Sequence, residues 1–395
     1  MDGAKGPRRF ETPPGERAAA IADVIDAHAD ALEATQRMSA ELLDALHEQA
    51  LFRMLLPKPY GGEEANPVAF MEAIETLARH DASVAWCVCQ ANGCAMTAAY
   101  LAPATADLIW GKDPRAVVAW GPGRSAAVET EGGYLLSGSL MFASGGRHAT
   151  WLGAHSPVKT PEGAGRKAAD GRPVLATLLF PASSVAMQEI WDVIGLRGTA
   201  SDGYDVDKLF VPAALTTARD DEAARTYRAP LYHYPSMSLF SMGFASVALG
   251  IAQGFLGDFL GFAQGKTPRL SKSTIADSPV AQSETALASA RIMAARAFLR
   301  QEASQVWAET LANDRLSIAG RARIRLATTF AIHEAKAAVD GLYDLAGADA
   351  IFASRPFERR FRDIHTVTQQ LQGRKTHFQS VGAWLMGRDP DLSVM

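Results

Sequence analysis

Cysteine is scarce in this chain: three occur among 395 residues, Cys87, Cys89 and Cys94, all in one apolar segment with no histidine or carboxylate at metal-ligand spacing. Three thiols cannot build a disulfide framework, and the spacing argues against a zinc site. Buried free thiols suit a reducing compartment, so the expected location is the cytoplasm. Charge of one sign is also missing. The formal net charge is −4 with both signs spread along the chain, which supplies neither the basic field that nucleic acid needs nor the polybasic stripe that an anionic membrane needs. The opening "MDGAKGPRRFETPPGERAAA" lacks the apolar core of a signal peptide, and no later run is expected to reach the roughly 20 apolar residues of a membrane span. Three nucleotide and nucleophile signatures are absent as well. No GxGxxG follows a strand, no P-loop is present, and no GxSxG stands between strand and helix, so nicotinamide binding in a Rossmann domain is not expected.

What is present is a soluble composition, 48% hydrophobic and 21% charged, with material for two or three domains around a large core. The first third reads as helical. Ser39 followed by Leu42, Leu43, Leu46 and Leu51 fits a capped amphipathic helix stopped by Pro57 and "YGG", a second helix runs from Pro67 to about His80, and "DASVAWCVCQANGCAMTAAYL" is apolar on nearly every face, as in a helix buried between domains or subunits. From about Ala116 the pattern changes to short alternating or β-branched runs separated by Gly, Pro and Asp. After Pro212 and the charged "RDDEAARTYR", helical periodicity returns in long Ala-rich segments. The expected organisation is an α+β protein with an N-terminal helical domain over 1–114, a β-barrel-like domain over 115–215 and a C-terminal four-helix bundle over 216–395.

The most suggestive stretch is "GGYLLSGSLMFASGGRHATW". Gly138 is read as a tight turn between two strands, and Ala143, Ser144, Gly145 and Gly146 leave so little bulk that a planar ring system can approach the backbone. On the residues alone, a plain hairpin end is an equal reading. "WDVIGLRGTASDGYDV" adds Arg197, Thr199 and Ser201 on a glycine-relaxed bend, with Trp191 read as core. "GKTPRLSKSTIADSPVAQ" places Lys266, Arg269 and Lys272 in a loop before a long helix, which suits a phosphate or a solvated basic loop. "RPFERRFRDIH" carries Arg359, Arg360 and Arg362 around Asp363, where an interhelical salt-bridge cluster is the structural alternative. Trp86, Asn92 and Cys94 of the apolar helix, with Tyr232, His233, Tyr234, Met237 and Phe240, offer aromatic, thioether and polar groups for a flat, mostly apolar ligand, or an interdomain core.

The order helices, β domain, helical bundle, together with "LFRMLLPKPYGG", "GGYLLSGSLMFASGGRHATW", "WDVIGLRGTASDGYDVDKLFVP" and "LYDLAGADAIFASRPFERRFRDIHTVTQ", resembles the acyl-CoA dehydrogenase fold over nearly the whole chain, and within it the two-component flavin-dependent monooxygenases. The resemblance implies that reduced FAD or FMN, supplied by a separate flavin reductase, meets O2 to form a flavin C4a-hydroperoxide that hydroxylates a small aromatic substrate, indole-type or phenolic. It places Ser144 beside the flavin N5, with Phe142 and Trp151 nearby, and leaves His148 as a catalytic group or a loop cap. It sets Arg197, Thr199 and Ser201 along the flavin and Arg360 and Arg362 against the flavin of a neighbouring subunit in a homotetramer, while the basic loop itself suggests Arg269 for the flavin phosphate. The glutamate base of the dehydrogenases has no counterpart in "RDIHTVTQQLQGRKTHFQSVG", so a dehydrogenase acting on a thioester would need its base elsewhere, near Asp340 or Asp344. A catalytically silent flavin binder is a third reading. Many of the resembling hydroxylases carry a histidine base where this chain has Gln370. Glutamine can orient a substrate but cannot ionise a phenol. His365, His377 and His233 are the possible substitutes.

Overall fold

The computed structural model describes residues 10–169, 171–219 and 221–389; the first nine residues, part of the stretch read for a signal peptide, lie outside them. Among the described residues six α-helices come first: α1 (Pro14–Ala19), α2 (Ala22–Thr35), α3 (Ala40–Glu48), α4 (Pro67–His80), α5 (Ala82–Ala95) and α6 (Pro103–Ala106). Three of them, α3, α4 and α5, begin where a side chain satisfies a free backbone N–H, whereas α2 starts after Ile21 without such a cap. Ser39 accepts from Leu42 N at 3.1 Å, Asn66 from Ala69 N at 3.0 Å with Pro67 as first helical residue, and Asp81 from Val84 N at 2.8 Å. The helix expected to reach Pro57 stops at Glu48 instead, because Ala50 takes a left-handed conformation with φ 52° and the chain turns into a short 3-10 segment.

Eight strands follow: β1 (Val118–Ala119), β2 (Gly123–Thr130), β3 (Gly133–Ala143), β4 (Trp151–Lys159), β5 (Leu175–Pro181), β6 (Met187–Gln188), β7 (Asp202–Pro212) and β8 (Thr216–Thr217). They form one sheet in the order β6-β7-β3-β2-β4-β5-β8, with β1 joined in parallel to β4. The sheet curls around its own core, which includes Leu136, Leu140, Leu152, Leu178, Phe180 and Tyr204. Gly138 is not a turn. It lies inside β3, where the register against β7 shifts between Leu136 and Gly138; φ is 150°, and a Cβ there would sit 2.4 Å from the Arg124 carbonyl. A bulge in one long strand replaces the expected hairpin.

Five more α-helices follow among the described residues: α7 (Ser236–Gly265), α8 (Pro279–Asn313), α9 (Ile318–Ala346), α10 (Pro356–Val367) and α11 (Thr376–Leu385). Helices α7 to α10 pack as the expected bundle, with α11 laid on α9. Contrary to the sequence expectation, α7 is long and apolar enough to cross a membrane, but 89% of its most apolar stretch is buried inside the protein, and it acts as the central core helix. On one side it meets α4 and α5 so closely that a Cβ on Gly93 would overlap the Phe240 ring, and one on Gly243 would overlap Cys89 Sγ.

The opening and closing helices share a single core, from Ala18 through Phe70, Val88 and Ile251 to Val367. The sheet is thus inserted into one helical body. Its entry and exit are tied together, since Thr226 N and Tyr227 N both donate to the Ala99 carbonyl at 2.9 and 3.0 Å, and Thr226 Oγ1 donates to the Leu101 carbonyl at 2.6 Å.

Candidate active site

The end of β3, the turn before β7 and the middle of α5 meet at one point. Antiparallel pairing sets Ala143 opposite Asp202, so the residues just beyond each partner, Ser144 and Ser201, become neighbours although 57 positions apart. Their hydroxyl oxygens are 2.7 Å apart, Ser201 Oγ is 2.7 Å from Thr199 Oγ1, and Thr199 lies within 2.8 Å of the Leu196 carbonyl. From below, the Trp86 indole N–H of α5 donates to Ser144 Oγ at 3.0 Å. Ser144, Ser201 and Thr199 are only 6, 3 and 1% exposed.

Three non-glycine residues with positive φ bracket these hydroxyls: Phe142 (61°), Leu196 (54°) and Ala200 (40°). Strain of this kind persists only where surrounding contacts enforce it, and those contacts are present. Asp363 of α10 accepts from Leu196 N at 2.5 Å. Asp202 accepts from Ile190 N and Trp191 N at 3.0 and 3.1 Å and pairs with Arg147 Nε at 2.6 Å. Burial, reinforced by Asp81 and Glu33, pushes the Asp363 carboxyl up to about 7. His148 sits on the turn after Ser144, and burial together with the charge of His47 pulls it down to about 4.

An aromatic wall adjoins the hydroxyls. Trp86 stacks on Phe244 with centroids 3.9 Å apart, and Phe244 continues to Phe240 at 6.0 Å and 10°. The loop after α10 approaches the same end of α7, where Gln372 Nε2 reaches Met237 Sδ at 3.7 Å. Gln370 caps the short turn there, accepting from Gln372 N at 2.7 Å, while its buried Nε2 has no partner among the described residues.

The residues singled out in the sequence therefore separate. Ser144, Thr199, Ser201 and Trp86 form one hydrogen-bonded cluster, His148 lies beside it, Phe240 joins the wall, and Met237 and Gln370 flank the α10 loop. Asn92 is committed to the backbone of Leu51, Leu55 and Val88. Cys94 is buried near Gln90, with burial pushing its thiol up. Tyr232 donates to the Leu55 carbonyl, His233 bridges Arg225 and Asp314, and Tyr234 packs on Trp307. These five hold elements together. Arg197 lies 3.7 Å from Glu33, Arg360 pairs with Asp258 at 2.8 Å, and Arg362 binds Glu33 and Glu358. Within the chain the salt-bridge reading of the arginine cluster fits, though Asp363 itself bonds Leu196 rather than an arginine. Arg269 stands exposed in the loop between α7 and α8, and Trp151 is half-buried at the start of β4. Phe244 escaped the sequence reading, although it follows Phe240 by one helical turn and so shares its face.

A flat heteroaromatic cofactor fits these residues. Met141 and Phe142 are 43 and 54% exposed beside the buried serine, and Phe142 meets Trp191 edge-on at 5.9 Å. Exposed apolar side chains of this size next to strained backbone mark a surface that a ring system would cover.

Comparison with known proteins agrees with the fold. Residues 16–106 match the family model for the acyl-CoA dehydrogenase N-terminal domain, and residues 242–372 match that for the C-terminal domain. The chain is 31% identical over 359 residues to indole-3-acetate monooxygenase of Acinetobacter baumannii, covering 89% of this chain and 88% of that protein. It is 30% identical over 348 residues to the flavin-dependent monooxygenase oxygenase subunit HsaA of Mycobacterium tuberculosis, covering 85 and 86%. The crystal structure of the HsaA monooxygenase from M. tuberculosis superimposes with a TM-score of 0.86 at 27% identity, over 97% of this chain and 99% of that one. The chain belongs to the acyl-CoA dehydrogenase family, in its branch of flavin-dependent monooxygenase oxygenase components.

Proposed function

We propose that this protein is the oxygenase component of a two-component system that hydroxylates a small aromatic substrate, with reduced FAD or FMN delivered by a separate reductase and O2 as co-substrate. The observation that carries this reading is the Ser144 hydroxyl, held by Trp86 and Ser201 at the foot of an aromatic wall and next to the exposed face of Phe142. Bound reduced flavin supplies the electrons that activate oxygen. The chain's own part is to present a hydroxyl to the reacting edge, to keep water away with Trp86, Phe240 and Phe244, and to orient the ring to be attacked.

Substrate choice follows from Gln370. Its unpartnered Nε2 can donate a hydrogen bond to a substrate heteroatom or oxygen, but the amide cannot remove a phenolic proton. The three histidines named as substitute bases each hold a partner: His365 bonds Asp340 at 3.0 Å, His233 bonds Asp314, and His377 bonds the Leu371 carbonyl at 2.7 Å through Nε2, with its buried Nδ1 unpartnered among the described residues. This favours rings that are electron-rich when neutral, indoles above simple phenols. No carboxylate occurs from Ile364 to Arg388, which disfavours proton abstraction from a thioester at this loop. The test is oxygen uptake coupled to product, compared across indoles and phenols with a generic flavin reductase. Indoles are expected to be turned over faster, and Gln370→Ala to raise peroxide released per O2 consumed severalfold with little change in flavin affinity. Tightly coupled hydroxylation of a simple phenol, with indoles inert, would overturn the assignment.

A further inference from the structure

The three hydroxyls behind the site form a queue that ring binding alone does not require. A hydroxyl has one proton to give and can accept twice, so the queue has two self-consistent orders. In the first, Trp86 Nε1 donates to Ser144, Ser144 to Ser201, Ser201 to Thr199, and Thr199 to the Leu196 carbonyl. In the second, Thr199 turns its proton to Ser201, Ser201 to Ser144, and the Ser144 proton is released toward the aromatic wall. The Leu196 carbonyl tolerates the change because it keeps Trp191 Nε1 at 3.0 Å and Thr199 N at 3.1 Å.

The far end of the queue reaches a second cavity. A space of about 240 Å³ lies on the α2 and α3 side of the loop, lined among others by Thr199, Gly198, Ala200, His148, Arg147 and Gln36. Gln36, Arg37, Arg147 and His148 give it polar groups beside the apolar Met38 and Leu43, and its size, against about 30 Å³ per water molecule, leaves room for several waters. His148, whose Nε2 has no partner among the described residues, supplies a neutral ring at this end.

We propose that Thr199 and Ser201 are a proton route from water in this cavity to Ser144, an inference that rests on the active-site reading of Ser144 given above. For each proton delivered, Thr199 takes one from cavity water and gives its own to Ser201, Ser201 gives its own to Ser144, and Ser144 releases one into the site. Every O–H bond broken on the three residues is replaced by one formed, no electrons move, and the donor water recovers its proton from bulk solvent. The transfer leaves Ser144 and Ser201 in the first order, and the hydroxyls rotate back to the second before the next delivery. Monooxygenation that starts from anionic reduced flavin takes up one proton per turnover, and this route supplies it without opening the aromatic side to water. Thr199 and Ser201 act through Ser144, as positioning residues.

The Trp86 indole proton, at the end of the queue, provides a test in the flavin-free protein. With ¹⁵N-tryptophan labelling the seven indole signals are followed in D2O, Trp86 being assigned by loss of its peak in Trp86→Phe. Thr199→Val, which trades the hydroxyl for a methyl, and Ser201→Ala are each expected to slow Trp86 exchange at least tenfold, while Thr199→Ser restores it. The Trp191 indole, bonded to the same turn, reports any loosening and is expected to stay unchanged. Trp86 exchange that is unchanged or faster in both Thr199→Val and Ser201→Ala overturns the route, whatever flavin does. In a second arm, the solvent deuterium isotope effect on reoxidation of bound reduced flavin is expected to change in Thr199→Val. Slowed indole exchange with no change in that isotope effect would leave the queue as a proton path but overturn its delivery to the flavin, and with it the role given to Ser144.

Discussion

Replacing Ser144 by alanine removes one oxygen, and the structure says what that oxygen was holding. Trp86 Nε1 donates to it at 3.0 Å between two buried side chains, and that proton has no other acceptor among the described residues. Ser201 fares better, because it keeps Thr199 at 2.7 Å. The substitution therefore strands one buried donor, at a cost of about 1–3 kcal/mol in stability. Stability and chemistry are both affected, so the variant alone cannot divide the two. A double-mutant cycle can. Trp86→Phe removes the donor, and the pair Trp86→Phe/Ser144→Ala removes both partners, leaving nothing stranded; the coupling energy is expected at ~0.5–1.5 kcal/mol. The assay is urea unfolding of flavin-free protein at one fixed concentration, since association would shift the midpoint. In the reduced-flavin complex the same Ser144→Ala change removes an oriented donor at the reacting centre, and about 1–3 kcal/mol there corresponds to roughly 5- to 150-fold more loss of reducing equivalents to peroxide. A coupling energy indistinguishable from zero, with peroxide yield unchanged, would show that Ser144 braces a loop and does nothing else.

Three other outcomes are expected. Because burial raises the folded-state value of Asp363 to about 7, the native state binds more protons than the unfolded chain between about pH 4 and 7; stability from this group is greatest at the acid end and is lost as pH rises, so Asp363→Asn should flatten that fall in urea midpoints measured across the range. His148 has the opposite sign: with its folded-state value lowered to about 4, its contribution is full above the ordinary histidine range and is lost as pH falls from about 6.5 to 4, and His148→Gln should remove that part of the acid limb. Helix α8 leaves Val280, Leu287, Met293 and Leu311 exposed, so light scattering at micromolar concentration is expected to give a dimer or tetramer, and a monomer would refute the assembly expected from the sequence.

The parts of the fold that could be read in advance were those governed by local chemistry. The cap at Ser39 lies one residue before its helix, and Pro67 to His80 is a helix with the bounds its periodicity implies. Where the outcome depended on distant partners, the sequence misled. Gly138 looks like a turn because glycine usually marks one, yet β7 holds it inside a strand. Alanine at position 50 gives no hint that it will take a left-handed conformation. The α7 segment suggested no particular face because almost every face is buried, and Phe244 was invisible for that reason. Asn92, Tyr232, His233 and Tyr234 have side chains suited to a binding pocket, but each is spent on ties between elements, and no local pattern distinguishes the two uses. Ser144 stood out through its small neighbours and the family resemblance together. Its contact with Ser201 depends on strand pairing across 57 residues.

Because the strand region leaves and rejoins the helical body at the Ala99–Thr226 tie, the protein behaves topologically like a clasp with a hinged plate rather than three beads on a string. The two halves of the helical core are more than a hundred residues apart in the chain, yet closing that loop costs little more than closing a shorter one, since the entropy grows only with the logarithm of length. The plate can therefore vary in size over evolutionary time with small effect on the clasp. The proposed reacting edge falls in the seam between them, where α5 of the clasp meets β3 of the plate. Small rocking of one against the other would open that seam without breaking either core, a geometry suited to a cofactor that must enter reduced and leave oxidised on every turnover.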